Sequence, residues 1–288
     1  MMHITLVTAL ELIGLGLVVG AVSPTFGIGG GLLTVPLMIL LFGFTSNAAT
    51  ATSLGVILFT SIAGTIAYIR ERKIDYKVAL YFMICAVPGS VAGALVSRWI
   101  KALHLRIDLL QIIFAGIMAL TAIYKIVTIL NDRRSTRSAA QQSAAPGGRG
   151  YLQRRIVDRR GKEFLYSAKL FPGIALAFIG GFIGAMLGLG GGIIYVPILT
   201  MGLGMPAAIA TATSTFTILA VNPFALLIRL QSVEWSWVLL LAVGVVVSAT
   251  LVPRILHKIN DRWILTGFWT LAILAAVRLI LNVAGMGI

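Results

Sequence analysis

Two glycine-rich segments combine residue types and a spacing that suit anion binding. They read FGIGGGLLTVP at 26–36 and LGLGGGIIYVP at 187–197. Backbone N–H groups at the start of a helix have no intrahelical partner and lie at the positive end of the helix dipole. Glycines there let an anion approach the backbone closely, because they have no β-carbon. The pattern therefore predicts two helix starts that share one substrate anion, at Gly29, Gly30, Gly31, Gly190, Gly191 and Gly192.

Each glycine segment is followed by a hydroxyl-rich segment, SNAATATS at 46–53 and PAAIATATS at 206–214. Residues three apart share a helix face, so Thr50 pairs with Ser53, and Thr211 pairs with Ser214. Hydroxyls can donate to an anion without adding a fixed charge, and we include these four in the predicted substrate site. Bonds to a carbonyl one turn earlier are the alternative role of the hydroxyls, and close helix packing is that of the glycines.

The composition places these segments in a membrane protein. Hydrophobic residues make up 59% of the chain and charged residues 11%, against about 25% charged in a soluble domain. Several stretches of about 20 residues carry almost no charge, as membrane-spanning helices do. We therefore predict an all-α polytopic membrane protein. The sequence has no P-loop, no HExxH motif and no nucleophile elbow, so neither an enzyme nor a cofactor or metal site is expected.

The chain contains an internal duplication. An offset of 161 residues aligns the two glycine segments and the two ATATS blocks without gaps, and twelve of the 27 positions from 27 to 53 are identical to their mates. We predict a first repeat over 1–130, a basic linker over 131–168 and a second repeat over 169–288. Each repeat holds five apolar segments, predicted at about 4–25, 31–43, 46–69, 77–97 and 107–130, and again at about 169–187, 191–203, 206–229, 236–256 and 263–284.

The short segments 31–43 and 191–203 leave the topology open. A 13-residue helix is about 20 Å long, while the hydrocarbon core is about 30 Å thick. The segment either re-enters from one side, which makes the repeats parallel, or completes a crossing with the glycines, which makes them inverted. The loop charges favour inverted repeats narrowly, with the linker cytoplasmic and both termini outside. Residues 131–169 hold ten Lys or Arg against three acidic residues, which suits contact with anionic lipids better than nucleic-acid binding.

A few polar residues interrupt the apolar helices. Glu11 lies in the first one, where an ionisable group costs at least about 2.5–3.5 kcal/mol at the membrane centre. It is a candidate proton-coupling site, with an interfacial position as the alternative. Asn222 and Pro223 fall in mid-helix, where proline removes a hydrogen bond, and they form a candidate hinge or a static kink. Arg229 is expected to anchor that helix at an interface.

The duplicated blocks GIGGGLLTVP…SNAATATS and GLGGGIIYVP…AIATATS resemble the sulfite exporter TauE/SafE family, also called the TSUP family. The resemblance covers both repeats. It implies a multi-pass inner-membrane transporter that exports small anions such as sulfite or sulfonates. The matching positions are Gly27 to Gly31 with Pro36, Gly188 to Gly192 with Pro197, and the two ATATS blocks.

Residues and resemblance together predict a secondary transporter that exports a small anion, sulfite or an organosulfonate such as sulfoacetate, by alternating access. An anion-selective channel and a non-transporting membrane scaffold that uses the basic loop are the alternatives. The expected partners are the anion, the bilayer, and anionic lipids at the linker, with a homodimer left open and no nucleic acid. The expected location is the cell (inner) membrane.

Overall fold

The computed structural model describes residues 6–27, 29–102, 110–120, 151–159, 161–255 and 277–278. The chain is mostly helical, and the predicted helical class is confirmed. The helices are α1 Leu6–Phe26, α2 Gly31–Phe42, α3 Ser46–Glu71, α4 Tyr76–Ala102, α5 Leu110–Leu120, α6 Leu170–Met186, α7 Gly192–Pro197, a π-helical turn Ile198–Gly202, α8 Ala207–Arg229, a 3-10 turn Leu230–Ser232 and α9 Trp235–Ile255. The segment predicted at 263–284 lies outside the described residues, except for 277–278, which are helical.

Four of the described helices are long and apolar enough to cross a membrane. These stretches are Leu6–Ser23, Ser46–Glu71, Tyr76–Ala102 and Ala207–Ser232. The helix after the first glycine segment, α2, has only 12 residues, which is about 18 Å at 1.5 Å per residue. The short helices are thus present as predicted, and whether they cross the bilayer or re-enter it stays a prediction.

The two repeats pack crosswise against each other. Helix α1 of the first repeat packs on α9 of the second, and α6 of the second packs on α4 of the first. The central helices α3 and α8 also contact each other. The end of α8 bonds to the start of α3, from Arg229 to Asn47, and the middle of α8 bonds farther along α3, from Asn222 to Leu54. Helices α3 and α8 therefore run antiparallel.

Glycines allow the close approach of the crosswise pairs. A β-carbon on Gly89 or Gly93 of α4 would overlap the backbone of Phe178 or Phe182 on α6. On α1, a β-carbon on Gly20 would lie 2.7 Å from the α-carbon of Val245 on α9. Small residues that let backbones touch are a common means of joining helices within a membrane, where the hydrophobic effect cannot drive association.

A β-hairpin follows the first repeat, within and just beyond the stretch predicted as a linker. Strands β1 Tyr151–Val157 and β2 Glu163–Lys169 pair antiparallel, from Tyr151 opposite Lys169 to Val157 opposite Glu163. The inward face carries Ile156, Tyr166 and Ala168, which are buried in the same core as the helices. The hairpin is an addition to the helical class that the apolar pattern did not indicate.

Candidate functional site

Both glycine segments form a backbone turn followed by a helix start, at the positions that the sequence predicts. Gly29 and Gly30 have φ angles of 83° and 93°, and Gly190 and Gly191 have 71° and 82°. These are left-handed conformations that side chains with a β-carbon disfavour. Gly30 is the N-cap of α2 and Gly191 is the N-cap of α7, without a side-chain cap in either case.

The helix starts leave backbone donors available. The carbonyl of Gly30 accepts the N–H groups of the third and fourth residues after it, and the carbonyl of Gly191 does the same. The N–H groups of Gly31 and Gly192 bond to no acceptor among the described residues. The two segments therefore share one local geometry, which is the geometry that the anion hypothesis requires.

The glycine segments also pack tightly on the opposite repeat. A β-carbon on Gly31 would overlap the carbonyl oxygen of Gly188, and one on Gly188 would overlap the backbone of Thr50. On the other side, a β-carbon on Gly27 would lie 2.9 Å from the Thr211 methyl group. Close packing, the alternative role of these glycines, is therefore realised at these three glycines. Anion binding at the segments stays a prediction.

Serine side chains join the two repeats at the glycine segments. Ser53 Oγ donates to the carbonyl of Gly188 at 2.7 Å, and Ser214 Oγ donates to the carbonyl of Gly27 at 3.2 Å. The two bonds are mates under the 161-residue offset. Helices α3 and α8, which carry the two serines, are thereby each bonded to the glycine segment of the other repeat. Both serine hydroxyls already donate a hydrogen bond in this conformation.

The threonines differ between the repeats. Thr50 Oγ1 donates to the carbonyl of Ser46 at 2.7 Å, one turn earlier on its helix, and accepts from Arg229 Nη2 at 2.7 Å. Its mate Thr211 is half-buried, and its hydroxyl meets no partner within the described part of the chain. Of the four predicted hydroxyls, Thr211 alone keeps its proton uncommitted in the described structure.

A second pair of threonines, to which the sequence analysis gave no role, also bonds between the repeats. Thr52 Oγ1 accepts the N–H of Glu234 just before α9, and Thr213 Oγ1 accepts the N–H of Asp75 just before α4, both at 3.1 Å. Both threonines are fully buried. Each ATATS block therefore uses its second threonine to hold the start of a helix in the opposite repeat, a role that the 161-residue repeat of the block could have suggested.

Two isoleucines contact both glycine segments. Ile57 and Ile218 are mates under the offset and are both fully buried. A β-carbon on Gly29 would lie 3.5 Å from each of them, and one on Gly190 would lie 2.9 Å from Ile57. These apolar side chains therefore cover the α-carbons of Gly29 and Gly190 in the described conformation.

The other sequence candidates lie apart from the glycine segments or bridge the central helices. Glu11 is exposed on α1, 16 residues before Gly27 and so about 24 Å away along the helix. Asn222 is buried, and its Nδ2 donates to the carbonyl of Leu54 at 2.8 Å. Helix α8 continues through Pro223. Proton coupling at Glu11 and a hinge at Asn222 and Pro223 both stay predictions.

Arg229 is buried inside the protein instead of reaching a surface, since only 3% of it is exposed. Its Nη2 donates to the main-chain oxygen of Asn47 at 2.9 Å, to Asn47 Oδ1 at 3.0 Å and to Thr50 Oγ1 at 2.7 Å. Its Nη1 is buried and has no hydrogen-bond partner among the described residues. A guanidinium therefore touches one of the predicted site hydroxyls.

The β-hairpin is bonded to the loop between α3 and α4 through a buried carboxylate. Asp75 accepts two hydrogen bonds from Arg154, at 2.7 and 2.9 Å, and one from the Tyr166 hydroxyl. Its Oδ1 also accepts the N–H groups of Lys77 and Val78 and so caps α4. Burial alone would raise the pKa of Asp75, but the bonds from Arg154 and Tyr166 outweigh it and leave that pKa below its usual range. Because the Asp75 N–H bonds to Thr213, the hairpin is connected to α8.

The described residues contain no group of three or more His, Cys, Asp or Glu side chains that could hold a metal ion. The chemistry of the centre consists of backbone dipoles, hydroxyls and one guanidinium. Such donors can bind and release an anion.

The apolar helices, the duplicated glycine turns and the crosswise packing define a multi-pass helical membrane protein. The chain matches the family model described as sulfite exporter TauE/SafE over residues 12–279, and it belongs to that family. The resemblance seen in the duplicated blocks is thereby confirmed.

The curated relatives are membrane transporters by name. The chain is 31% identical to the probable membrane transporter protein YunE of Bacillus subtilis over 278 residues, which cover 93% of this chain and 96% of the relative. It is 25% identical to a probable membrane transporter protein of Methanocaldococcus jannaschii, with 87% of each chain covered. A third relative, YdhB of Bacillus subtilis, is 33% identical over 40% of this chain and 43% of its own. No solved structure is significantly similar to the chain.

Proposed function

We propose that this protein is a secondary transporter that exports a small anion, sulfite or an organosulfonate such as sulfoacetate, by alternating access between two inverted repeats. The family description supports the substrate class. The observation that carries the mechanism is the pair of exchanged bonds, from Ser53 to the Gly188 carbonyl and from Ser214 to the Gly27 carbonyl. The antiparallel course of α3 and α8 supports the inversion.

The exchanged bonds offer a simple alternating switch. When one repeat tilts away from the other on one side, one serine bond breaks while its mate remains. The freed hydroxyl and the nearby helix-start N–H groups can then donate to an anion. Each helix start contributes about 0.3–1 kcal/mol, or about 2 kcal/mol when partly buried, so affinity stays modest and the anion can leave on the other side.

The isoleucine pair fits the same cycle. Ile57 and Ile218 cover Gly29 and Gly190 when both serine bonds are formed. We propose that they move aside in turn, so that the pathway is never open to both sides at once. This separates the proposed carrier from the channel alternative, which requires a continuous path.

The proposal is tested by flux into proteoliposomes with sulfite, sulfate, sulfoacetate and taurine. We expect saturable transport of at least one sulfur oxyanion, and we expect Ser53→Ala and Ser214→Ala to lower the rate by similar factors, because the two bonds are mates. Val56, which is buried on α3 and belongs to neither bond, offers a control as Val56→Ala. Large single-channel currents would contradict a carrier, and unchanged flux in both serine variants would contradict the switch.

The location of the protein and the role of its basic linker are also proposals. We propose that the protein lies in the cell (inner) membrane, with the linker 131–168 on the cytoplasmic side against anionic lipids. The scaffold alternative requires the basic loop, and it is tested by deleting 137–149, which spares the hairpin strands. Full transport by this variant would contradict a scaffold role of the deleted residues, whereas a parent protein that folds normally but moves none of the tested anions would favour the scaffold.

A further inference from the structure

Arg229 has a cationic edge without a partner, although it is almost wholly buried. All three of its described hydrogen bonds come from Nη2, and they go to Asn47 and Thr50 at the start of α3. Nη1 is buried and reaches no acceptor among the described residues. Guanidinium N–H groups buried in folded proteins normally meet acceptors, so this edge points to a missing one.

The place of the Arg229 guanidinium, against the first turn of α3, is unfavourable for a positive charge. The first turn of α3 is the positive end of that helix, where a cation is disfavoured and an anion is favoured. The ion pairs of the described residues involve Glu71, Asp75 and Glu163, and none of them includes Arg229. Glu234, five residues after Arg229, is exposed. The charge of Arg229 therefore lies against the positive end of α3, and no acidic side chain among the described residues forms an ion pair with it.

This feature is absent from the other repeat. The offset of 161 residues places Tyr68 at the position of Arg229 and Ala208 at the position of Asn47. A guanidinium that only held the repeat architecture together would be expected on both sides. Its presence on one side indicates a task that is specific to that end of α8.

We infer that Arg229, Asn47 and the first turn of α3 form a binding site for an oxyanion, at one end of the central helix pair. The chemistry suits a sulfite, sulfonate or sulfate group, because a planar guanidinium donates to anionic oxygens and the positive end of α3 adds a favourable potential. The N–H of Ala48 in that first turn is already capped by Thr45 Oγ1. Since Nη1 is closed off here, the anion enters when the end of α8 separates from the start of α3. The inference rests on the proposed function only in taking the transported anion as the occupant.

The sharpest test places a carboxylate of the protein itself beside Arg229, in place of the proposed oxyanion. Asn47→Asp puts a carboxylate where Asn47 Oδ1 already accepts from Arg229 at 3.0 Å, with almost no change in shape. We expect this variant to unfold at a higher temperature than the parent protein. We also expect it to lose the thermal stabilisation that sulfite or sulfate gives the parent, with at least a tenfold weaker apparent affinity.

Arg229→Gln should weaken sulfite binding by a similar factor, and Arg229→Lys by less, because lysine keeps the charge but not the planar donor pair. Arg70→Gln is the control, since Arg70 is an exposed arginine at the end of α3. If Arg229→Gln fails to fold, Asn47→Asp decides the matter alone. Parental affinity in Asn47→Asp would overturn the inference.

The two proposals fail in different ways. Transport by the parent protein, with an unchanged KM in both Arg229→Gln and Asn47→Asp, would overturn the oxyanion site and leave the transporter standing. Sulfite or sulfate binding that depends on Arg229, in a protein that moves none of the tested anions, would support the site and contradict the proposed transport.

Discussion

At the scale of single residues, the glycines of the two segments serve backbone contact as well as backbone conformation. Gly188 has a φ angle of 69°, and a β-carbon there would also overlap the backbone of Thr50. Gly43 has a φ angle of 66°, but it has open space where its β-carbon would be. The two positions therefore separate conformational strain from crowding.

We expect Gly43→Ala to destabilise the protein by about 1–2 kcal/mol, the cost of a left-handed conformation. Gly188→Ala should cost a further amount of about 1–3 kcal/mol, because the neighbouring backbone must shift. Thermal unfolding of the purified protein in one detergent measures both. Equal midpoints for the two variants would show that the contact between Gly188 and Thr50 is not tight.

Two threonines of the ATATS blocks give a second comparison. Thr52→Val removes the acceptor of a partly buried helix-start N–H, so it should destabilise the protein by about 1 kcal/mol. Thr211→Val removes a hydroxyl with no described partner, so it should change stability little and, if Thr211 contacts the anion, raise the KM. Unfolding midpoints and flux measurements test both, and the reverse order of stability would contradict the assignment.

The buried contact between Arg229 and Asn47 was beyond sequence reasoning for a definite reason. Arg229 and Asn47 are 182 residues apart. A single arginine near a helix end is ordinarily placed at an interface, where its charge reaches water. Only the crosswise packing of the repeats brings it against α3. The glycine turns, by contrast, are local features, and the spacing of the motif was enough to place them.

At the scale of elements, the helices follow from the sequence more closely than the hairpin does. Helix α3 was predicted at 46–69 and is found at Ser46–Glu71, because charged residues end the apolar run. Strand β1 contains the pair Arg154 and Arg155. Arg154 faces inward and bonds to Asp75, so a charged residue occupies an inward position and the alternation of apolar and polar residues is not evident from the sequence. A buried ion pair conceals an inward position from a hydropathy pattern.

The docking of the hairpin depends on the charge of Asp75. Asp75→Asn still caps α4 but leaves Arg154 without its counter-charge, and breaking a buried pair costs about 3–5 kcal/mol. We expect faster hydrogen exchange across β1 and β2 in this variant at neutral pH. Glu163→Gln, at the exposed pair with Arg155, is the control and should change exchange little. Equal effects of the two variants would contradict the docking role.

The same carboxylate predicts a pH dependence. The pKa of Asp75 is lowered in the folded protein, so its stabilising effect is complete above the unfolded value of about 3.9. It is lost as the pH falls through the lowered pKa. Hydrogen exchange of the hairpin, corrected for its intrinsic pH dependence, should therefore stay constant from pH 7 to about 5 and rise at more acid pH. A rise that is already complete near neutral pH would contradict this assignment.

At the scale of the whole molecule, the direction of the two repeats can be tested with one pair of positions. Arg70 and Gln231 are mates under the 161-residue offset, and both are exposed. Inverted repeats place them on opposite sides of the membrane, and parallel repeats place them on the same side.

Cys85 is the one cysteine of the chain, and Cys85→Ala removes its reaction with the label. In that background we expect Arg70→Cys and Gln231→Cys to react with an impermeant maleimide from opposite sides. Arg70→Cys should react from the cytoplasmic side, following the positive loop charges. Inside-out and right-side-out vesicles provide the measurement. Labelling of both variants from one side would contradict the inverted arrangement and the switch built on it.

The exchanged serine bonds also bear on the ancestry of the chain. A polypeptide with a single repeat could form the bond from its serine to a glycine carbonyl only with a second copy, packed antiparallel to the first at α3. Fusion of two such genes would turn an assembly of two identical chains into one chain whose halves could diverge. Arg229 in place of Tyr68 is one such divergence, and the proposed oxyanion site would give the two ends of an originally symmetric pair different affinities for the same ion.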